Sequence, residues 1–131
     1  MVLATVVRDD ESAPFFDAAA EGRLLLRYSP TSHEWSEPSA QFCSVTQASD
    51  LEWRESSGYG TVISWTWKPG RRREDVVTPG VLIGIVQLEE GPWMSMWFPD
   101  AEPSDIKVSA SVKVEFFTPE SGEPQPIARL I

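Results

Sequence analysis

Cysteine and histidine are almost missing from this chain: Cys43 and His33 are the only ones among 131 residues. A single thiol excludes a disulfide within the chain and any metal site built from several thiolates. The two residues stand ten positions apart and could share a metal or form a nucleophile–base pair; ordinary structural roles are the reading adopted. Positive charge is scarce too, with eleven Lys and Arg against twenty Asp and Glu, a net charge of -9. Counterion release from a phosphate backbone needs a broad cationic surface, so nucleic acid is not the expected partner. No apolar run approaches the roughly 20 residues that a membrane helix needs. Met1–Arg8 has neither a cationic n-region nor a long h-region, so no signal peptide is expected and a cytoplasmic protein is the default. There is no Gly-rich phosphate loop and no Ser-His-Asp arrangement. Glu89 and Glu90, adjacent at the end of an expected strand, diverge and do not suit acid–base work on one substrate. No catalytic set emerges.

What is present centres on residues 58–88. Gly58-Tyr59-Gly60-Thr61-Val62-Ile63-Ser64-Trp65-Thr66-Trp67-Lys68 leads through a basic turn to Gly80-Val81-Leu82-Ile83-Gly84-Ile85-Val86-Gln87-Leu88. The first run is rich in β-branched and aromatic residues, which suit a pleated, half-buried surface. Simple alternation puts Ile63, Trp65 and Trp67 on one face and Val62, Ser64 and Thr66 on the other. The second run is apolar on both faces, as expected of a strand buried on both sides. The turn between them carries Arg71, Arg72 and Arg73, the densest positive charge in the chain. The pair reads as the centre of a small β-barrel whose arginine loop reaches an anionic ligand.

Around this centre, residues 1–13 read as a loosely attached lead-in ending in Asp9-Asp10-Glu11. Ser12 as N-cap, Pro14 in the first turn and Gly22 as stop predict a short helix over Phe15–Glu21. Arg23–Tyr28 is strand-like. Ser29–Ser49 is polar, with Trp35 and Phe42 as anchors; it reads as a loop that needs a metal or neighbouring surfaces to be ordered. Leu51-Glu52-Trp53 leads into the barrel. Glu89-Glu90-Gly91-Pro92 is a turn, Trp93–Phe98 a third strand, and Ile106–Phe117 alternates cleanly enough to predict a strand with one buried face. Pro119–Pro126 reads as a loop and Ile127–Ile131 as a closing strand. The expected fold is mainly β: a five-stranded Greek-key barrel of the OB type over 54–131, preceded by helix and polar segment over 14–53.

Several stretches carry a resemblance. Pro14-Phe15-Phe16-Asp17-Ala18-Ala19-Ala20-Glu21-Gly22-Arg23-Leu24-Leu25-Leu26, Asp50-Leu51-Glu52-Trp53, Ser57-Gly58-Tyr59-Gly60-Thr61-Val62 and Val86-Gln87-Leu88-Glu89-Glu90-Gly91-Pro92 lie in the same order as in a prokaryotic two-part family. The chain resembles that family, which joins a rubredoxin-like zinc ribbon to an OB-fold, over roughly residues 14 to 130. The resemblance implies an accessory subunit in lipid, steroid or polyketide metabolism. Such subunits partner thiolase-like enzymes, with relatives beside hydratases and steroid side-chain aldolases, and catalysis belongs to the larger partner. It also places the ribbon's two Cys-x-x-Cys pairs on Ser29 and Ser32, then Cys43 and Thr46. Only Cys43 remains, and serine hydroxyls are poor zinc ligands, so a degenerate, metal-free ribbon is expected, with no zinc.

Three groups are candidate functional residues. Lys68, Arg71, Arg72 and Arg73 can bind coenzyme A phosphates through charge-assisted contacts; the plainer alternatives are a solvated hairpin tip or a dock on an acidic partner patch. Trp65, Trp67, Trp93 and Trp97 can line a groove for an acyl or adenine group, or fill core and rim. Phe15 and Phe16 can dock on another subunit or pack onto the barrel. Partner contacts are expected at Phe15, Phe16, Trp35, Trp65, Trp67 and Trp93. The expected function is a non-catalytic accessory subunit of an acyl-CoA-processing complex. It would bind a thiolase-superfamily or aldolase protein, with a coenzyme A thioester as possible ligand, no covalently bound cofactor and no membrane. A free-standing OB module for single-stranded nucleic acid is the alternative, disfavoured by charge.

Overall fold

A computed structural model describes residues 9–43 and 46–131, so most of the expected lead-in, Met1–Arg8, lies outside the described residues. Helix α1 spans Ala13–Ala20. Ser12 makes no side-chain cap to it; instead Ser12 N–H donates to Asp9 Oδ1 (2.8 Å) and Asp9 N–H to Ser12 Oγ (2.9 Å). This reciprocal pair has the form of a capping box one turn ahead of the expected cap. At the other end Arg23 N–H reaches Ala18 O and Gly22 N–H reaches Ala19 O, both at 2.9 Å, a Schellman stop.

Strands β1 (Leu25–Ser29), β2 (Glu34–Ser36) and β3 (Glu52–Glu55) form an antiparallel sheet in the order β2-β1-β3. The expectation of a plain loop over 29–49 is thereby corrected at its start: a tight turn after Ser29 returns the chain so that Tyr28 faces Trp35. Three residues are too few for alternation to show in a sequence.

Then come β4 (Tyr59–Lys68), β5 (Arg71–Arg73), β6 (Val76–Thr78), β7 (Val81–Leu88), β8 (Trp93–Trp97), β9 (Ser111–Phe117) and β10 (Gln125–Leu130). Five of them close a barrel in the order β10-β8-β7-β4-β9, while β5 and β6 form a separate two-stranded ribbon. With β4 as first barrel strand, a parallel contact between the third and fifth (β8 and β10) completes an OB-type arrangement. That contact is a single registered pair, Ile127 with Trp97. Pro126, which precedes it, has no N–H to extend the ladder.

The interior is filled by Val62, Leu82, Val86, Leu88, Met96, Phe98, Val112 and Val114, each at most 5% exposed. Gly84 is required by this packing: a Cβ there would sit 2.6 Å from the Phe98 ring. One apolar cluster runs from the barrel through Phe15, Phe16, Leu24 and Leu26. Phe15 sets its ring edge-on to Phe16 (5.2 Å) and 6.2 Å from Phe116, fastening α1 to the barrel.

Three sequence expectations change here. A β-bulge between Val62 and Ser64 makes Ile63 the extra residue, so parity resets along β4. Val62 therefore shares its inward side with Trp65 and Trp67, which stand opposite Gly84 and Leu82 and pack on the core. Second, β7 is buried on one face only: Leu82, Val86 and Leu88 point in, while Val81, Ile83 and Ile85 are half-exposed. Third, the expected strand over 106–117 begins only at Ser111. Ile106 is buried but Val108 is 60% exposed, and Ser109 takes a positive φ of 73°. No helix among the described residues is long and apolar enough to cross a membrane.

Candidate functional site

The basic turn is a built element. Glu74 and Asp75 have φ of 48° and 62°, the pair of positive values that a two-residue type I′ hairpin requires. They fold Arg71, Arg72 and Arg73 back against Thr78, Val77 and Val76, respectively. All six side chains are exposed, with Val76 and Val77 at 65% and 69%. Cross-strand partners share a face, so Arg71 and Arg73 lie on one side of the ribbon and Arg72 on the other. At the foot of the ribbon Gly80 lies against Trp67, whose indole occupies the place a Cβ would take.

Under the ribbon's foot lies a cavity of about 370 Å³. Lys68 and Arg71 stand at it, Trp97 walls it, and Val81 and Ile83 line it from β7. The half-exposed apolar face of β7 is thus the floor of a groove, continued by the Ile83–Trp97 cross-strand pair. Two of the four expected cationic site residues are brought together with one indole; Arg72 and Arg73 stay further out on the ribbon. In an OB barrel the connection between the first two strands and the face of strands two and three are the ligand-binding parts. Here those parts are the arginine ribbon and β7–β8.

The other expected contact residues scatter. Phe15 and Phe16 are 7% and 8% exposed and are used inside this chain. Trp65 and Trp67 are half-buried against the core. Trp93, at the far end of β8 from Trp97, is 55% exposed. With Trp35 it lines a second cavity of about 560 Å³ that also meets Phe42 and Cys43. Trp35 rests against Tyr28 with ring centroids 5.1 Å apart.

Sequence reading missed Val81 and Ile83 as site residues, although a strand apolar on both faces was the available signal. It also missed a clasp between sheet and barrel. Ser56 Oγ donates to Glu90 Oε1 (2.6 Å), Ser57 N–H to Glu90 Oε2 (2.8 Å) and Ser57 Oγ to Glu89 Oε2 (2.8 Å). Glu89 and Glu90, expected only as part of a turn, both fasten the Ser56–Ser57 segment before β4. More than 30 residues separate the partners, so no local pattern marks them.

In the ribbon-like sheet, Asp50 collects hydrogen bonds from Ser29 Oγ (2.7 Å), Thr31 Oγ1 (2.5 Å) and Thr31 N–H (3.1 Å). The Ser29 hydroxyl first, then that of Thr31, holds the Asp50 carboxyl below its ordinary pKa. His33 Nδ1 is paired with Tyr28 Oη (3.1 Å), and Cys43 Sγ with Ser32 Oγ (3.4 Å). Among the described residues no group of three or more His, Cys, Asp or Glu side chains could hold a metal ion.

Fold and site together define a class: an OB-type barrel with a cationic arm between its first two strands, carried behind a small ribbon-like sheet. Residues 53–117, from β3 to the end of β9, match the family model of the ChsH2 C-terminal OB-fold domain. Over these residues, which hold four of the five barrel strands, the chain is similar to that OB-fold domain, in agreement with the resemblance read from its sequence. No curated protein matches the chain. Among solved structures it is similar to one described as the Ltp2-ChsH2(DUF35) aldolase, with a TM-score of 0.76 at 19% identity over 94% of this chain and 96% of that one. It is also similar to a protein of unknown function from the DUF35 family of Sulfolobus solfataricus, with a TM-score of 0.67 at 13% identity over 93% and 86%. At such identities the likeness establishes the shared fold.

Proposed function

We propose that this chain is a non-catalytic accessory subunit of an acyl-CoA-processing complex, docking on a thiolase-superfamily or aldolase protein and helping to form its acyl-CoA site. The observation that carries the reading is the groove of Lys68, Arg71 and Trp97 beneath an arginine-bearing ribbon in an otherwise acidic chain. Guanidinium groups make bidentate contacts to phosphate, and an indole offers a face to a ring or an apolar chain. Arg72 and Arg73 extend the positive charge outward toward the remaining phosphates of a coenzyme A thioester. Exposed Trp93, with Trp35 beside it, is the aromatic surface offered to the protein partner. That a similar fold occurs in a structure described as an aldolase with ChsH2 supports a partner of this type. A cytoplasmic location belongs to the same reading.

A module for single-stranded nucleic acid would use the same barrel face. The net charge of -9 opposes it, because backbone tracking needs cations beyond one arm. Two measurements test the proposal. Co-purification of the tagged chain from its native host should recover a thiolase-superfamily or aldolase subunit in stoichiometric amount. A stable monomer without a companion counts against the complex. Changing Arg71, Arg72 and Arg73 together to Ala should weaken calorimetric binding of coenzyme A to the complex at least about tenfold, as expected for losing charge-assisted contacts. Unchanged binding would reduce the ribbon to a soluble tip, and tight, salt-dependent binding of an oligonucleotide would favour the alternative.

A further inference from the structure

The three-stranded sheet stands where the family resemblance places a zinc ribbon, and it lacks that ribbon's ligands. Two turns share one form. His33 N–H bonds to Ser29 O at 2.8 Å with His33 at φ 58°, and Gln47 N–H bonds to Cys43 O at 2.8 Å with Gln47 at φ 60°. Each turn opens on a position where the family resemblance puts the first cysteine of a pair. The donor set no longer fits zinc: Ser29, Ser32 and Thr46 offer hydroxyls, which neutral water does not ionise, and Cys43 alone offers a thiol. The Ser29 hydroxyl is moreover already used. It donates to Asp50 Oδ1 and accepts from Ser32 N–H at 3.3 Å, with Ser29 fully buried.

The geometry points to Asp50 as the residue that performs the cross-linking a metal ion performs in a zinc ribbon. Its two carboxylate oxygens hold the first turn at three points, Ser29 Oγ, Thr31 Oγ1 and Thr31 N–H. Asp50 itself lies between the second turn and β3, so the bonds tie the end of β1 to the segment leading into its other neighbour. The second turn is joined through Ser32 Oγ and Cys43 Sγ. A carboxylate facing two hydroxyls and an amide makes charge-assisted bonds in which every partner donates. Asparagine in its place would turn one acceptor into an NH₂ group facing other donors. Removing the carboxylate also leaves the buried Ser29 hydroxyl without its acceptor. On this reading the small sheet orders without a metal, Asp50 supplying the tie between the end of β1 and the segment before β3.

Hydrogen exchange on the purified full chain, with zinc quantified by mass spectrometry, tests this. The wild type should carry far less than one zinc per chain, and a chelator should leave exchange in β1 and β3 unchanged. Asp50→Asn should accelerate exchange of β1 and β3 amides about tenfold while β4, β7 and β9 amides hold their rates, since local opening follows local bonds. In a second variant, Ser29→Cys, Ser32→Cys and Thr46→Cys join Cys43 to restore four thiolates. With zinc bound, adding Asp50→Asn should then have no effect on β1 and β3. The inference is overturned by stoichiometric zinc in the wild type whose removal loosens the sheet. It is equally overturned by Asp50→Asn leaving β1 and β3 at wild-type rates, or by the zinc-loaded variant still depending on Asp50.

Discussion

The three-stranded sheet and the barrel meet at Ser56 and are held by different forces. The three buried polar residues among those described, Ser29, Ser36 and Ser56, belong to the sheet or its junction, and the hydroxyls of Ser29 and Ser56 are hydrogen-bonded there. The sheet is dressed with side-chain bonds: Arg23 to Glu55 at 3.0 Å, Arg54 to Glu52 at 2.7 Å, and the Arg27 guanidinium 4.0 Å over the Trp53 ring. The barrel instead closes over Leu82, Val86, Leu88, Phe98 and Val112, which are essentially without solvent contact. Strands of three to five residues cannot enclose an apolar interior by themselves, so the sheet borrows the barrel's apolar cluster through Leu24 and Leu26 and adds directional bonds of its own. Strands of five to ten residues can, and burial then does most of the stabilising.

The widest difference should come from deleting barrel core. Phe98→Ala removes a ring 1% exposed and is expected to cost about 3 to 5 kcal/mol, a large share of the ~5–15 kcal/mol typical of a domain. Urea unfolding should show the midpoint falling for both regions together. If the sheet keeps its own midpoint, the two are separate folding units and the single apolar cluster through α1 is not what couples them. Next in size, Ser56→Ala removes the junction's hydroxyl from Glu90 and should cost about 1 kcal/mol. Faster exchange confined to the sheet and the 56–59 segment would sharpen the contrast, and a uniform loss would erase it.

The smallest effect is one of pH. Asp50 is held below the ordinary carboxyl value of 3.8, so its stabilising contribution is complete above that value and is lost as pH falls through its lower, folded value. Asp9 beside Ser12 behaves in the same sense at the start of α1. Acid titration followed by tryptophan fluorescence should show Trp35 and Trp53 responding before the barrel unfolds. Asp50→Asn should remove that early step, and its persistence would assign it to other groups.

The same contrast explains what the sequence disclosed. In the barrel, Ser111–Phe117 alternates with period two and was legible, as were the turn at Glu89–Pro92 and the OB-type order of strands. The bulge at Ile63 was not, because a one-residue insertion leaves composition untouched while reversing the side to which every later residue points. Ile106–Ala110 alternates by coincidence; the turn at Ser109 overrides it. At the candidate site the arginines declared themselves by charge, whereas Val81 and Ile83 were absorbed into an assumed core. The clasps at Asp50 and Glu90 join residues 19 to 34 positions apart through polar side chains that locally look like loop. Only folding brings such partners together.

The lone Ile127–Trp97 pair between β8 and β10 has a consequence for how the cylinder comes together. The β4–β7–β8 meander can assemble from near neighbours, and β9 and β10 can zip as a hairpin, before any strand has to travel around the circumference. With one registered pair against three between β4 and β9, the join opposite Pro126 is the weaker of the two seams and is expected to close last and open first. Thermal breathing should part the wall there, next to Trp97, while the remaining strands stay paired.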